Sequence, residues 1–187
     1  MKTTAKAGVA AFLLMFAAGH TEAQNARAER LEVPPITGGL KALPISRPPG
    51  RNEAITILVP DDDKPRDFTI WMTVRGLAPG DTLDAIEADF RDRQVETCDG
   101  AAERDLGKTS ENGYTTGEVV VTCDKPKGDA HVDFEVDKTV IGDGHVFTFQ
   151  YVFERAYDDA GLQKAQAWLS QMKLCNPTAI FHPCPKA

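Results

Sequence analysis

The sequence lacks an excess of basic residues, and this absence limits the partners that the chain can bind. Its 21 lysines and arginines are outnumbered by 28 aspartates and glutamates, which gives a formal net charge of −7. Nucleic acids and anionic lipid surfaces attract proteins through clustered lysine and arginine side chains. The sequence contains no dense cluster of this kind. We therefore expect no nucleic acid among the partners of this protein.

Long apolar runs are also missing, apart from a short one near the N-terminus. Lys2 and Lys6 precede an apolar segment over residues 7–18, and residues 21–23 place small side chains at the two positions that a signal peptidase reads. A membrane-spanning helix needs about 20 apolar residues. The sequence therefore predicts a signal peptide over residues 1–23, no membrane span, and a periplasmic or secreted protein.

Catalytic motifs are absent as well. Ser46, Ser110 and Ser170 all lie outside the GxSxG context that activates a serine nucleophile. The segment 107–109 resembles the end of a phosphate-binding loop, but Ala102 stands where that loop needs a glycine. We therefore expect a protein that is not an enzyme and that holds no cofactor.

Cysteines are few, and their number and spacing predict two disulfides. Four cysteines in an exported chain favour disulfides over free thiols, and no CxxC spacing indicates a zinc site. The Asn-Gly pair at 112–113 is typical of a tight hairpin turn, which brings Cys98 towards Cys123. The remaining pair, Cys175 with Cys184, closes a short loop near the C-terminus.

Proline and glycine divide the chain into two parts after the signal peptide. Residues 24–52 are rich in both and show no hydrophobic period, which predicts a linker or a loosely draped arm. Residues 53–187 are then long enough for one folded domain with a normal core. We expect a single domain that ends in the disulfide-closed loop.

Hydrophobic periodicity predicts an α+β fold for this domain. Six segments alternate apolar and polar residues as strands do, while Leu83, Ile86 and Phe90, and later Leu162, Ala165 and Leu169, recur at helical spacing. The predicted order is β-β-α-β-β-β-β-α. We expect an antiparallel sheet with two helices packed on one face, its apolar face.

The last predicted hairpin has a well-specified register. The turn at 142–144 pairs Val140 with Phe147 and Phe134 with Phe153, so that apolar side chains share one face. The opposite face carries Glu135 and Asp137 among other polar residues. The pattern therefore predicts a largely solvated outer surface.

This order of elements resembles the Mog1/PsbP-like family of small α+β proteins. The resemblance covers residues 53–174 and is carried by the element order and by the segment Lys138 to Leu174. It implies an accessory or assembly factor without catalytic residues. That family often has three layers, whereas the polar outer face of this sheet predicts two.

Trp71 is the residue that fits the predicted core least well. Its neighbours Phe68, Ile70 and Met72 alternate towards the core, so Trp71 points to the opposite face. We predict an apolar patch there with Val120 and Val152, and aromatic residues in such patches are enriched at binding surfaces. The alternative is that the proline-rich arm covers Trp71 without any partner.

The sequence thus favours an exported, non-catalytic accessory protein that acts through protein–protein contacts in the cell envelope. One alternative is an inhibitor of a secreted hydrolase that docks through the loop from Cys175 to Cys184. Another is a carrier of a small apolar ligand, enclosed by aromatic side chains that are more readily explained as plain core. These are Phe134, Phe147, Phe149 and Tyr151.

Overall fold

The computed structural model describes residues 29–34, 39–43, 53–61, 68–127, 134–153, 155–176 and 184. The predicted signal peptide and most of the predicted linker lie outside these residues. Of the helices in the described part, none is long and apolar enough to cross a membrane.

The described residues form nine strands and two helices. In chain order they are β1 (Arg30–Glu32), β2 (Leu40–Leu43), β3 (Glu53–Pro60), β4 (Phe68–Gly76), α1 (Leu83–Thr97), β5 (Cys98–Glu111), β6 (Tyr114–Pro126), β7 (Phe134–Ile141), β8 (His145–Phe153), α2 (Asp159–Leu169) and β9 (Lys173–Cys175). Seven of the strands form one antiparallel sheet in the order β2-β3-β4-β8-β7-β6-β5, and the two short strands β1 and β9 pair with each other outside it.

The predicted α+β class and the order of the longer elements from β3 to α2 are confirmed. The short strands were not predicted, because three or four residues are too few to show a hydrophobic period. β2 extends the sheet by pairing with β3, and β1 pairs with β9 near the C-terminal disulfide. Two pieces of the predicted arm therefore belong to the folded domain.

The register of the β7–β8 hairpin is also confirmed. Val140 lies opposite Phe147, and Phe134 lies opposite Phe153. Since successive side chains of a strand point to opposite faces, this register assigns Phe134 to one face and Glu135 to the other. We call the side that carries Phe134 the α2 face and the side that carries Glu135 the α1 face, after the helix that packs on each.

The α2 face holds the aromatic core. The rings of Phe134 and Phe153 stack with their centroids 4.2 Å apart, and Tyr151 contacts both Phe153 and Trp168 of α2. Helix α2 approaches closely at Gly161, where an added Cβ would lie 2.8 Å from the Phe134 ring. Close packing of this kind supplies most of the free energy that favours the fold.

One charged side chain, Lys138, lies fully buried on the α2 face. Its Nζ is 2.7 and 2.8 Å from the two carboxylate oxygens of Glu111, and it donates a 3.0 Å hydrogen bond to the carbonyl oxygen of Leu169. The buried cation is therefore fully paired, and it ties the end of α2 to the sheet.

Helix α1 packs on the opposite face, so the prediction that both helices cover one face is wrong. An added Cβ at Gly117 of β6 would lie 2.6 Å from Glu87 Oε1 and 3.3 Å from a methyl of Leu83, both on α1. Gly117 pairs with Thr139, which shares its face with Glu135. The reason is a second apolar stripe on β6, formed by Val119 and Val121. Covering this stripe with α1 produces three layers instead of two.

Both predicted disulfides are present. Cys98 and Cys123 join the start of β5 to β6, with their Cα atoms 5.8 Å apart. Cys175 and Cys184 close the C-terminal loop, with their Cα atoms 4.8 Å apart. The first disulfide lies directly after α1 and fixes the end of that helix against the sheet.

Candidate functional site

A groove opens on the α1 face, beside the C-terminal half of α1. The helix packs on β5 and β6, so the part of this face formed by β4 and β8 extends beyond it. The cavity has a volume of about 240 Å³. We call it the Trp71 groove, and its lining residues are Trp71, Gln94, Thr97, Cys98, Cys123, Glu135, Gln150 and Val152.

Trp71 forms one wall of this groove. It lies on β4 between Ile57 of β3 and Gln150 of β8, and it is 39% exposed. Its core-facing neighbours Ile70 and Met72 are buried on the α2 face. Strand β2 of the N-terminal segment pairs with the edge of β3 that lies away from β4 and Trp71.

The structure brings only one of the two predicted valines to Trp71. Val152 lies on the α1 face of β8 and lines the groove. Val120 pairs with Val136 and is buried in the core of the α2 face, so its predicted place beside Trp71 is wrong. The physical reason is strand alternation, because β6 points Val119 and Val121 towards α1 and Val120 away from it.

Glu135 forms the floor of the groove and is only 2% exposed. One carboxylate oxygen accepts a short hydrogen bond from the side-chain amide of Gln94 on α1. The other accepts a 3.5 Å hydrogen bond from the side-chain amide of Gln150 on β8. Burial raises the pKa of Glu135 to about 7, although the two amides and the charge of Arg93 act in the opposite direction.

Asp137 lies two residues further along β7 and is 3% exposed. Neither of its carboxylate oxygens has a hydrogen-bond partner among the described residues. Burial raises the pKa of Asp137 well above its ordinary value, and the charges of Glu135 and Glu103 add to this effect. Asp137 therefore favours its protonated form much more strongly than an exposed aspartate does.

The prediction of a solvated outer surface is wrong at these two acids. On neighbouring strands Glu135 lies opposite Val121 and Val152, and Asp137 lies opposite Val119. On β8 Asp137 lies opposite Gln150, so only Glu135 has apolar neighbours on both sides, which is the signal of a covered face. That signal appears only when β6 is placed in register with β7, which the hairpin pattern of β7 and β8 does not provide.

The side chains of the groove suit recognition better than covalent chemistry. The groove offers an aromatic ring, a carboxylate, two amides, a disulfide and the hydroxyl of Thr97, which donates to backbone carbonyls of its own helix. None of its described lining residues is a serine, histidine or free cysteine. A ring face and a carboxylate are the two groups that attract organic cations. Nowhere in the described ranges do three histidine, cysteine, aspartate or glutamate side chains converge as a metal site requires.

Comparisons with known proteins agree with this fold. No protein-family model matches the sequence, and no curated protein matches it. The fold is similar to the solution structure of cyanobacterial PsbP (CyanoP) from Synechocystis sp. PCC 6803, with a TM-score of 0.52 and 11% sequence identity. The match covers 83% of this chain and 98% of that chain. At this identity the likeness concerns the fold alone, and it confirms that the chain has a PsbP-like fold.

Proposed function

We propose that this protein is an exported, non-catalytic accessory protein that binds a protein partner of the cell envelope through the Trp71 groove. The observation that carries the proposal is the partly exposed indole ring beside an open cavity. Aromatic residues set next to pockets contribute much of the binding free energy at protein interfaces. Trp71 and Val152 supply the apolar part of such a surface.

Export is supported by the chemistry of the cysteines. Two disulfides and no free cysteine in the described residues suit an oxidising compartment such as the periplasm or the extracellular space. The leader predicted over residues 1–23 agrees with this location. The PsbP-like fold adds an analogy with accessory proteins, and the argument for binding comes from the groove itself.

The alternative of an apolar-ligand carrier gains no support from the aromatic side chains that suggested it. All four of these side chains are buried in the α2-face core: Phe134, Phe147, Phe149 and Tyr151. There Phe134 stacks on Phe153, and Tyr151 makes an edge contact with Trp168. They act as core residues. The alternative of a hydrolase inhibitor concerns a loop whose residues 177–183 lie outside the described chain.

Site-specific photo-cross-linking tests the proposed function. A photoreactive phenylalanine replaces Thr73, which flanks Trp71 on the α1 face, or Ala102, which is exposed on β5 on the other face. We expect one protein adduct from position 73 in cells that export the protein, and none from position 102. Adding Trp71→Ala should abolish that adduct. Equal adducts from both positions, an adduct that survives Trp71→Ala, or no adduct at all would contradict the proposal.

A further inference from the structure

The partly buried acids of this protein differ in whether a cation accompanies them. Asp81 pairs with Arg75 at 2.7 Å, Glu103 pairs with Arg91 at 2.7 Å, and Glu111 pairs with Lys138 at 2.7 Å. Among the described residues, no ion pair reaches Glu135. Its carboxylate receives only the neutral amides of Gln94 and Gln150. Burying a carboxylate without a cation is costly, and proteins normally avoid it.

The nearest basic side chain is held elsewhere. Arg93 on α1 is close enough to influence Glu135, but its guanidinium lies 3.0 Å from Asp89 and stacks over the ring of Phe90 at 5.1 Å. None of the described residues that line the groove is basic. The groove therefore has the Glu135 carboxylate on its floor and the Trp71 ring in its wall. None of its described lining residues supplies a cation that could pair with the carboxylate and contact the ring.

We propose that the Trp71 groove receives a lysine or arginine side chain of the partner protein, with its cationic group between the Trp71 ring and the Glu135 carboxylate. This inference rests on the proposed function and names the chemistry of the partner. The aliphatic stem of such a side chain packs along Val152 and the disulfide of Cys98 and Cys123, while its charged end reaches the floor.

A basic partner also suits the charge of the whole molecule. The chain carries a net charge of −7, so a basic surface is attracted before contact. Inside the groove the carboxylate is shielded from water, so a cation placed there interacts with it more strongly than at an exposed site. A neutral side chain of similar shape gains the packing but not this attraction.

The inference also predicts that binding releases a proton to the solvent. The groups that act on Glu135 are Arg93 and Gln94 from α1, Gln150 from β8 and Asp137 from its own strand, while Glu103 from β5 acts on Asp137. Around neutral pH part of the population holds a proton on Glu135, and an arriving cation favours the carboxylate and lowers its pKa. The affinity for the cation should therefore rise from pH 5.5 to pH 8.

The test uses amino-acid derivatives whose binding is followed at the indole N–H signals by NMR. The chain has two tryptophans, and Trp168 is buried on the α2 face, so its signal serves as an internal control. The probes are the N-acetyl amides of arginine and lysine, compared with that of citrulline, a neutral analogue shaped like arginine. We expect saturable shifts of the Trp71 signal with both basic probes, and affinity at least about tenfold weaker for citrulline.

Matched variants locate the interaction at Glu135. Glu135→Gln should weaken binding of the arginine probe about tenfold and remove its pH dependence. Asp84→Asn changes an acid at the start of α1, away from the groove, that already has the cation of Lys108, and it should leave binding unchanged. Equal shifts with citrulline, shifts of Trp168 as large as those of Trp71, or no shift with any probe would overturn the inference.

The design separates this inference from the proposed function. If Glu135→Gln does not fold, which the Trp168 signal reports, the comparison of arginine with citrulline on the unchanged protein decides. A persistent cross-link from position 73 with no preference for basic probes would reject the cationic side chain and keep the proposed function. Loss of the cross-link would reject the proposed function as well.

Discussion

Two adjacent residues of β7, Asp137 and Lys138, show how differently the two faces of the sheet treat a buried charge. Lys138 points to the α2 face, where Glu111 and the carbonyl of Leu169 satisfy it. Asp137 points to the α1 face, where its carboxylate has no hydrogen-bond partner among the described residues. The α2 face is built for stability. The α1 face instead buries acids that have raised pKa values and no paired cation among the described residues, next to an open groove. Groups of this kind are found most often where proteins bind ligands or catalyse reactions.

The largest expected effect is the loss of core packing on the α2 face. Phe149 is fully buried at the centre of that core, so Phe149→Ala should lower the free energy of unfolding by about 3–5 kcal/mol. Urea denaturation measures this loss. Thr148→Ala changes the adjacent residue on the α1 face and should cost less than about 1 kcal/mol. Similar losses for the two variants would contradict the division between the faces.

The buried lysine gives the next largest effect. Lys138→Met removes the nearer of the two cations that pair with Glu111, the other being Lys173 at 3.6 Å. It should lower the free energy of unfolding by about 3 kcal/mol, at the lower end of the range for buried pairs, because Glu111 is partly exposed and keeps Lys173. Adding Glu111→Gln should recover part of this loss, because Lys138→Met takes the cation from both Glu111 and Glu118 and only Glu118 then keeps its carboxylate. The same urea measurements form a double-mutant cycle, and simple additivity would contradict the pairing.

Removing the charge of Asp137 should stabilise the protein at high pH, whereas removing the charge of Lys138 should destabilise it. Burial raises the folded-state pKa of Glu135 to about 7 and that of Asp137 above its ordinary value. Protonation of these two acids stabilises the folded state fully when the pH is below their unfolded-state pKa values. This stabilisation is lost as the pH rises through their folded-state pKa values. Wild-type stability should therefore fall from pH 5 to pH 8.

Asp137→Asn sharpens this prediction. It should change the free energy of unfolding little at pH 5 and raise it by about 1–3 kcal/mol at pH 8, because the folded wild type must then either hold a proton that the unfolded chain releases or bury an unpaired charge. Urea denaturation at the two pH values measures the difference. Asp92→Asn on the exposed side of α1 is the matched control and should show no such gain. A loss of stability at pH 8 would mean that Asp137 has a partner that compensates its charge.

The smallest effect on stability should come from Trp71. Its ring is partly exposed, so Trp71→Ala should lower the free energy of unfolding by only about 1 kcal/mol while it abolishes the cross-link from position 73. Thermal unfolding and the cross-linking yield are measured on the same preparation. A loss as large as that of Phe149→Ala would make Trp71 a core residue.

The features that sequence could predict are those that local signals determine. The turn at 142–144 and the alternation around it fixed the register of β7 with β8, and the turn at 112–113 paired Cys98 with Cys123. The side of the sheet that α1 covers depends on contacts distant in sequence. The burial of Glu135 depends on the same contacts, together with the register of β6 against β7.

The candidate site shows the same limit. The alternation of apolar and polar residues in β4 is enough to turn Trp71 away from the core. The same alternation in β8 places Val152 on the face that carries Trp71. Val120 was misplaced because its neighbours Val119 and Val121 are equally apolar, so the sequence of β6 does not show which face α1 covers. Gln94 and Gln150 carry no distinctive signal and become recognisable only through their hydrogen bonds to Glu135.

The central claim concerns the buried acids Glu135 and Asp137 on the α1 face, next to the Trp71 groove. It states that no cation among the described residues pairs with them. Its most direct test is an NMR titration of the Glu135 side-chain carboxyl carbon, assigned with Glu135→Gln. A Glu135 midpoint near pH 7 is the predicted result. A Glu135 midpoint at about 4.3, the ordinary value of a glutamate in water, would contradict the claim.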